Sequence, residues 1–201
     1  MLSLMKKLLA IIVLSLCFII PSQADDIRDF QIEGMSIGDS LLDIMSVGEI
    51  NQNILPYQKG KKKYYAVGVN SKLRSKTYKS VEAYFKTGDT KYIIRSLGAF
   101  LDISSLNDCL SKKQDIVNNI KPLFPDVMFH EQDDYHQFDK SKKSKTYSSV
   151  FLLRGNILSD HIRVDCTIWS KKMKKKHNFK DSLAVIAMKR EIQDWIKGGY
   201  K

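Results

Sequence analysis

Apolar and polar residues alternate in several short segments of the chain, which is the pattern of half-buried β-strands. The clearest case is Lys79–Thr87, where Val81, Ala83 and Phe85 share one side of a predicted strand. The same pattern predicts five further strands, over Tyr64–Asn70, Lys91–Leu97, Thr146–Arg154, Asp160–Trp169 and Asp181–Ala187. Turn signals join two pairs of these strands, at Thr87-Gly88-Asp89-Thr90 and at Gly155-Asn156.

Helical spacing and capping residues predict four helices. The first begins at Asp39 or Ser40, and the second begins at the capping box of Ser46 and Glu49. The other two cover Ser105–Leu123 and the C-terminal residues Ile192, Trp195 and Ile196. The order αα-βββ-α-βββ-α predicts an α+β protein in which helices cover one face of antiparallel sheet. Residues 25–98 and 99–201 could form two related α+β units, as one sheet or as two.

The N-terminal residues have the three-part pattern of a secretory signal peptide. Lys6 and Lys7 form the basic part, Leu8–Ile20 is a 13-residue apolar run, and Ser22 and Ala24 form a small-residue cleavage site. A transmembrane helix needs about 20 apolar residues, so this run is too short to span a bilayer. We therefore expect residues 1–24 to be removed and residues 25–201 to be secreted or periplasmic.

The cysteines agree with an exported protein. Cys17 lies in the predicted signal peptide, and its lipidation is the alternative to cleavage, although Leu16 is larger than the residue that lipidation sites place before the cysteine. The mature chain keeps Cys109 and Cys166, which can form one disulfide in an oxidising compartment. Both lie on the apolar side of their predicted elements, so we expect them to point into one core. A redox or metal-binding pair is the alternative, without the Cys-x-x-Cys spacing that favours it.

The stretch from Phe30 to Met45 contains Gly34-Met35-Ser36 just before the first predicted helix. With the order of the elements that follow, residues 30–97 resemble the helix-hairpin and three-strand domains of envelope proteins. These include the accessory lipoprotein of the outer-membrane β-barrel assembly machine and β-lactamase inhibitor protein. The whole mature chain more closely resembles a family of small exported bacterial proteins of uncharacterised function. This resemblance implies a compartment and a fold, and no activity.

Lysine dominates the basic residues of this chain, which has a formal net charge of +11. Of 33 basic residues, 27 are lysine, whereas a surface that grips phosphates bidentately favours arginine. Aromatic residues are sparse among the lysines, so nucleic acid is not expected as a partner. Three lysine clusters beside predicted strands are candidate contacts for an anionic envelope lipid, lipopolysaccharide or other polysaccharide: Lys61, Lys62, Lys63, Lys142, Lys143, Lys174, Lys175 and Lys176.

One side of the predicted sheet is a candidate protein-binding surface. Trp169 and Arg163 alternate with Cys166 and are predicted to face away from the core, and outward aromatic residues are typical anchors of interfaces. Tyr84 and Tyr78 are predicted to lie on the same open face. The leading hypothesis is therefore a non-enzymatic module that docks another envelope or secreted protein.

A segment rich in histidine and acid follows Pro125. Its candidate metal ligands, His130, Asp133, Asp134 and His136, could serve a metal-dependent enzyme. The two histidines are six residues apart and the segment has no glycine, so we predict an exposed acidic loop instead. The chain has no recognisable catalytic or phosphate-binding motif, so neither an enzyme activity nor a cofactor is predicted.

Overall fold

The computed structural model describes residues 26–56, 63–69, 77–153 and 159–199. The predicted signal peptide with Cys17, the pair Lys61 and Lys62, and the turn at Gly155-Asn156 lie outside the described residues. Within the described ranges, no helix is long and apolar enough to cross a membrane.

The described residues contain nine strands and four α-helices, which confirms the α+β class. The strands are β1 (Gln31–Ile32), β2 (Met35–Ser36), β3 (Tyr64–Gly68), β4 (Ser80–Lys86), β5 (Ser96–Asp102), β6 (Met128–Tyr135), β7 (Lys145–Leu152), β8 (His161–Ile168) and β9 (Ser182–Met188). The helices are α1 (Val47–Gln52), α2 (Leu106–Ile120), α3 (Lys171–His177) and α4 (Arg190–Lys197). Single 3-10 turns occupy Ile27–Asp29, Leu41–Asp43 and Lys121–Leu123.

Seven of the strands form one antiparallel sheet in the order β3-β4-β5-β9-β8-β7-β6. The last strand, β9, lies between β5 and β8, so Ala187 is paired with Leu97 on one side and with Ile162 on the other. Strands from the two predicted halves of the chain therefore belong to a single sheet. The edges of this sheet are β3 and β6, and β1 and β2 pair separately as a two-stranded hairpin.

The main core lies on one face of the sheet. Val81, Ala83 and Phe85 of β4 are fully buried there, as their alternation predicts. Helix α2 packs across β8 and β9 on this face, and apolar residues of the N-terminal segment, such as Ile37 and Leu41, complete the same core. The capping box of Ser46 and Glu49 is present, and Ser40 caps the 3-10 turn that replaces the first predicted helix.

Helix α4 covers part of the opposite face, so the prediction that helices cover only one face is wrong. Ile192 and Trp195 of α4 are buried against Tyr64 of β3, with the Tyr64 and Trp195 ring centroids 5.3 Å apart. The Tyr64 hydroxyl donates to Glu191 at 3.0 Å, and its burial together with this carboxylate raises the pKa of Tyr64 to about 12. A short amphipathic helix at the end of the chain can pack on either face, and alternation along the strands does not decide which.

The third predicted strand begins too early. Strand β5 begins at Ser96, because the Asp89 carboxylate accepts hydrogen bonds from the backbone N–H groups of Lys91 at 2.9 Å and Ile93 at 3.1 Å. These bonds hold residues 87–95 in a loop rather than a tight hairpin.

Two elements lie where loops were predicted. The acidic segment after Pro125 is the edge strand β6, whose charged residues are typical of a strand with one unpaired side. The lysine run after Ser170 is helix α3: the Ser170 hydroxyl caps its N-terminus, and Asn178 ends it in a left-handed conformation, with φ of 56°.

A buried lysine links α2 to the β6 edge of the sheet. The Lys113 ammonium donates to the Ser149 hydroxyl at 2.9 Å and lies 3.4 Å from the Glu131 carboxylate. The Ser149 hydroxyl in turn donates to Glu131 at 2.9 Å. This hydrogen bond, with the positive charge of Lys113, lowers the pKa of Glu131. A buried cation is costly unless it is paired, so these contacts favour the docking of β6 against β7 and α2.

The predicted disulfide is present in the structure. Cys109 of α2 and Cys166 of β8 are bonded, with their Cα atoms 5.9 Å apart and both side chains fully buried. The bond connects α2 to the sheet strand beneath it and encloses a 57-residue separation that includes β6 and β7.

We predict that the Cys109→Ala/Cys166→Ala variant loses about 4 kcal/mol of unfolding free energy, because the bond restricts the unfolded chain. Urea unfolding followed by circular dichroism measures this loss. The wild-type protein should become similarly less stable in reductant, whereas the double variant should not respond to it. Equal stability of the wild-type protein with and without reductant would contradict the prediction.

Candidate functional site

Asp139 joins two lysine-rich segments at one end of the sheet. The connections β6–β7 and β8–β9 both lie at this end, since successive connections in an antiparallel array alternate between its two ends. The Asp139 carboxylate accepts five hydrogen bonds from three serines. The donors are the N–H (3.0 Å) and hydroxyl (2.6 Å) of Ser141, the N–H (3.1 Å) and hydroxyl (2.6 Å) of Ser144, and the hydroxyl of Ser170 (2.9 Å).

The contact with Ser170 is the one that joins the segments. Ser170 begins α3, and its N–H donates to the Ser144 hydroxyl at 3.0 Å. Asp139 is only 4% exposed, and the hydrogen bonds from Ser141, Ser144 and Ser170 hold the pKa of its carboxyl well below its usual range. The carboxylate therefore stays ionised at neutral pH and organises the loop and the helix start together.

Five rings from the two segments form a contiguous group. The Trp169 ring lies between those of His136 and Phe179, with centroid distances of 4.3 and 4.4 Å. Phe138 contacts both Phe179 and His177, at 5.8 and 5.4 Å. Trp169 is half-buried in this group, whereas Phe138 is 55% exposed.

Lysines are the main charged residues of the segments that carry these rings, so the prediction that aromatic residues are sparse among the lysines is wrong for these segments. Residues 136–145 and 170–181 contain ten lysines and two aspartates, and no arginine. Both aspartates make contacts within the protein. Asp139 accepts from the serines described above, and Asp181 accepts from the Trp169 N–H at 2.8 Å and from the Lys174 ammonium at 2.6 Å. Most of the positive charge therefore faces solvent. We call residues 136–145 and 169–180 the aromatic–lysine face.

The structure brings together two of the three predicted lysine clusters. Lys142 and Lys143 lie in the β6–β7 connection, and Lys174, Lys175 and Lys176 lie on α3 beside it. In the third cluster, Lys63 is the lysine that the structure describes. It precedes β3, the edge strand opposite β6, and lies at the end of the sheet away from the aromatic–lysine face.

The predicted protein-binding residues do not form one open surface. Tyr84 packs against the cluster formed by α4 and Tyr64, and Tyr78 packs against the main core on the other face of the sheet. Arg163 forms an ion pair with Asp165 at 2.8 Å, and Trp169 belongs to the aromatic–lysine face. The prediction of one shared face is wrong because α4 covers Tyr84 and because Tyr78 precedes β4, where the alternation of that strand does not apply.

The candidate metal ligands are separated by the alternation of β6. His130 and Asp134 point to the face of the sheet that carries Arg163, whereas Asp133 points to the opposite side. His136 lies beyond the strand and contacts Trp169. Among the residues that the structure describes, no group of three or more histidine, cysteine or acidic side chains is placed to hold a metal ion. The four candidate ligands are therefore not assembled into one group.

Sequence reasoning missed Asp139 and Phe138. The pattern Asp139-x-Ser141 is a signal for an Asx-type turn, and Ser170 before a run of lysines is a signal for a helix start. Neither pattern shows that the two segments meet, because that contact depends on the sheet topology.

Comparisons with known proteins identify no relative: no family model, curated protein or solved structure matches the chain. The resemblance of residues 30–97 to envelope domains therefore stays a prediction. Functional inference rests on the geometry of the site.

We predict that Asp139→Asn lowers the urea midpoint at pH 7, because an amide nitrogen cannot accept from the serine hydroxyls and N–H groups. The carboxyl pKa is lower in the folded protein than in the unfolded chain, so its stabilisation is present at neutral pH and is lost in acid. The difference in urea midpoint between the wild-type protein and Asp139→Asn should therefore shrink below about pH 4. Asp133→Asn, which neutralises an exposed carboxylate on β6, is the matched control. Equal midpoints for the two variants at pH 7 would refute the role of Asp139.

Proposed function

We propose that the protein is an exported, non-enzymatic binding protein that attaches to anionic lipid surfaces through the aromatic–lysine face. The observation that supports this most is the convergence of two lysine segments around exposed Phe138, held together by Asp139. In an envelope, phosphatidylglycerol and lipopolysaccharide present such a surface.

The lysines of this face and its exposed phenyl ring both suit a membrane interface. Each lysine near an anionic bilayer contributes about 1 kcal/mol of attraction. An exposed phenyl ring can insert among the acyl chains at the headgroup boundary, which adds an apolar contribution that salt does not screen. An exposed apolar residue on lysine-rich segments is the combination that interfacial binding uses.

The choice of lysine also fits a diffuse anionic surface. An arginine fork matches one phosphate or carboxylate in a fixed geometry, whereas a lysine is a mobile point charge on a flexible stem. The ten lysines of residues 136–145 and 170–181 are therefore suited to many headgroups in variable positions.

Docking of an envelope protein is the weaker hypothesis. The residues expected to form its interface are on different surfaces or under α4. The free edge of β6 is a further place for a protein to pair, but Glu131, Asp133 and Asp134 give it the charged character that discourages strand addition.

Sedimentation with vesicles tests the proposal. We predict that mature protein binds vesicles of phosphatidylcholine with phosphatidylglycerol, and not vesicles of phosphatidylcholine alone, with affinity that falls as salt rises. Lys172→Gln/Lys175→Gln/Lys176→Gln should weaken binding on the order of 100-fold, since three lysines at about 1 kcal/mol each contribute about 3 kcal/mol. Glutamine keeps the helical propensity of α3. Phe138→Ala should weaken binding by a factor that does not change with salt.

The matched control is Lys63→Gln/Lys86→Gln/Lys91→Gln, which removes the same charge at the opposite end of the sheet. This control should bind vesicles nearly as well as wild type. An equal loss of binding in both triple variants would show that net charge, rather than the aromatic–lysine face, causes the attachment. Tighter binding to a single-stranded oligonucleotide than to anionic vesicles would also contradict the proposal.

A further inference from the structure

A cleft separate from the aromatic–lysine face lies between the sheet and α4. Strands β6, β7 and β8 form one side of it, and Gln193 and Lys197 of α4 form the other. Its volume is about 140 Å³, enough for a small organic molecule. Val150 and Leu152 give it an apolar wall.

His161 lines this cleft and is buried without a partner. The residue is 1% exposed, and within the described residues neither ring nitrogen makes a hydrogen bond. The Ser159 backbone lies near the ring and favours its charged form, but it does not meet the geometry of a hydrogen bond to either ring nitrogen. A buried polar group without a partner costs free energy, so such groups in folded proteins are normally satisfied by a ligand or a water.

The charges around the cleft favour an anion. Arg163 and Lys197 both line it, and among the residues that the structure describes no aspartate or glutamate does. Asp165 and Ser148 hold the Arg163 guanidinium from one side, at 2.8 and 3.3 Å, which fixes its position. Burial and the neighbouring cations lower the pKa of His161 to about 4. The neutral imidazole can then donate one hydrogen bond to an anionic oxygen.

We propose that this cleft binds a small organic carboxylate. Arg163 and Lys197 attract its charge, the His161 imidazole donates to a carboxylate oxygen, and Val150 and Leu152 contact a short alkyl chain. This binding is independent of the lipid attachment proposed above, because no residue of the aromatic–lysine face lines the cleft.

Titration with butyrate, followed by NMR of the His161 ring and of the Val150 and Leu152 methyl groups, tests this inference. We expect saturable shifts with a Kd of about 1–10 mM, the affinity typical of so small a ligand. Lys197→Gln should weaken butyrate binding at least threefold, and His161→Phe should abolish it. Lys91→Gln, in the connection between β4 and β5, is the matched control because Lys91 does not line the cleft, and it should bind like wild type.

Two further probes define the specificity. Inorganic phosphate has the charge without the alkyl chain, and butylammonium has the chain with the opposite charge, so neither should give saturable shifts at these residues. Shifts with phosphate equal to those with butyrate would overturn the carboxylate assignment in favour of simple anion attraction. Failure of butyrate to saturate, or unchanged affinity in Lys197→Gln, would overturn the site. Because vesicle binding does not use this cleft, the His161→Phe variant should still sediment with anionic vesicles.

Discussion

The pairing of β9 between β5 and β8 is the constraint on which the rest of the structure depends. It joins strands from both halves of the chain into one sheet and leaves β3 and β6 as the edges. The connection from β8 to β9 contains α3. Because β9 pairs with β8, this connection lies at the same end of the sheet as the connection from β6 to β7. The chain after it returns as α4 over the face opposite the main core. Both proposed binding sites therefore follow from the position of one strand.

Buried charges then fix the parts that the sheet brings together. Asp139 is an anion that serine donors from two segments surround, and Lys113 is a cation that Ser149 and Glu131 satisfy. In each case the cost of an unpaired buried charge favours one arrangement over others with similar apolar burial. Asp139 acts at the aromatic–lysine face, whereas Lys113 acts between α2 and the edge strand β6. The disulfide between α2 and β8 adds a covalent constraint to the part of the protein that contains these two buried charges.

Sequence patterns predict the local features of this fold well and its long-range pairings poorly. Alternation identifies β4 and the side of it that is buried, and together with helical spacing it places Cys109 and Cys166 in one core. It does not identify β6, because most residues of this strand are exposed and its polar run from Glu131 to Asp134 has no apolar alternation. Nor does it show that β9 enters the centre of the sheet, since register and strand order depend on contacts distant in sequence. The candidate site shares this limit: the lysines are visible in the sequence, whereas the contact between Asp139 and Ser170 is not.

Hydrogen–deuterium exchange of the protein without its predicted signal peptide, with and without vesicles containing phosphatidylglycerol, tests the central claim most directly. The aromatic–lysine face should be covered by lipid, so amide exchange should slow in residues 136–145 and 169–180. Exchange at the opposite end of the sheet, in residues 63–65 and 86–95, should not change. Slower exchange at that opposite end, or bound protein with no slowing in either region, would contradict attachment through the aromatic–lysine face.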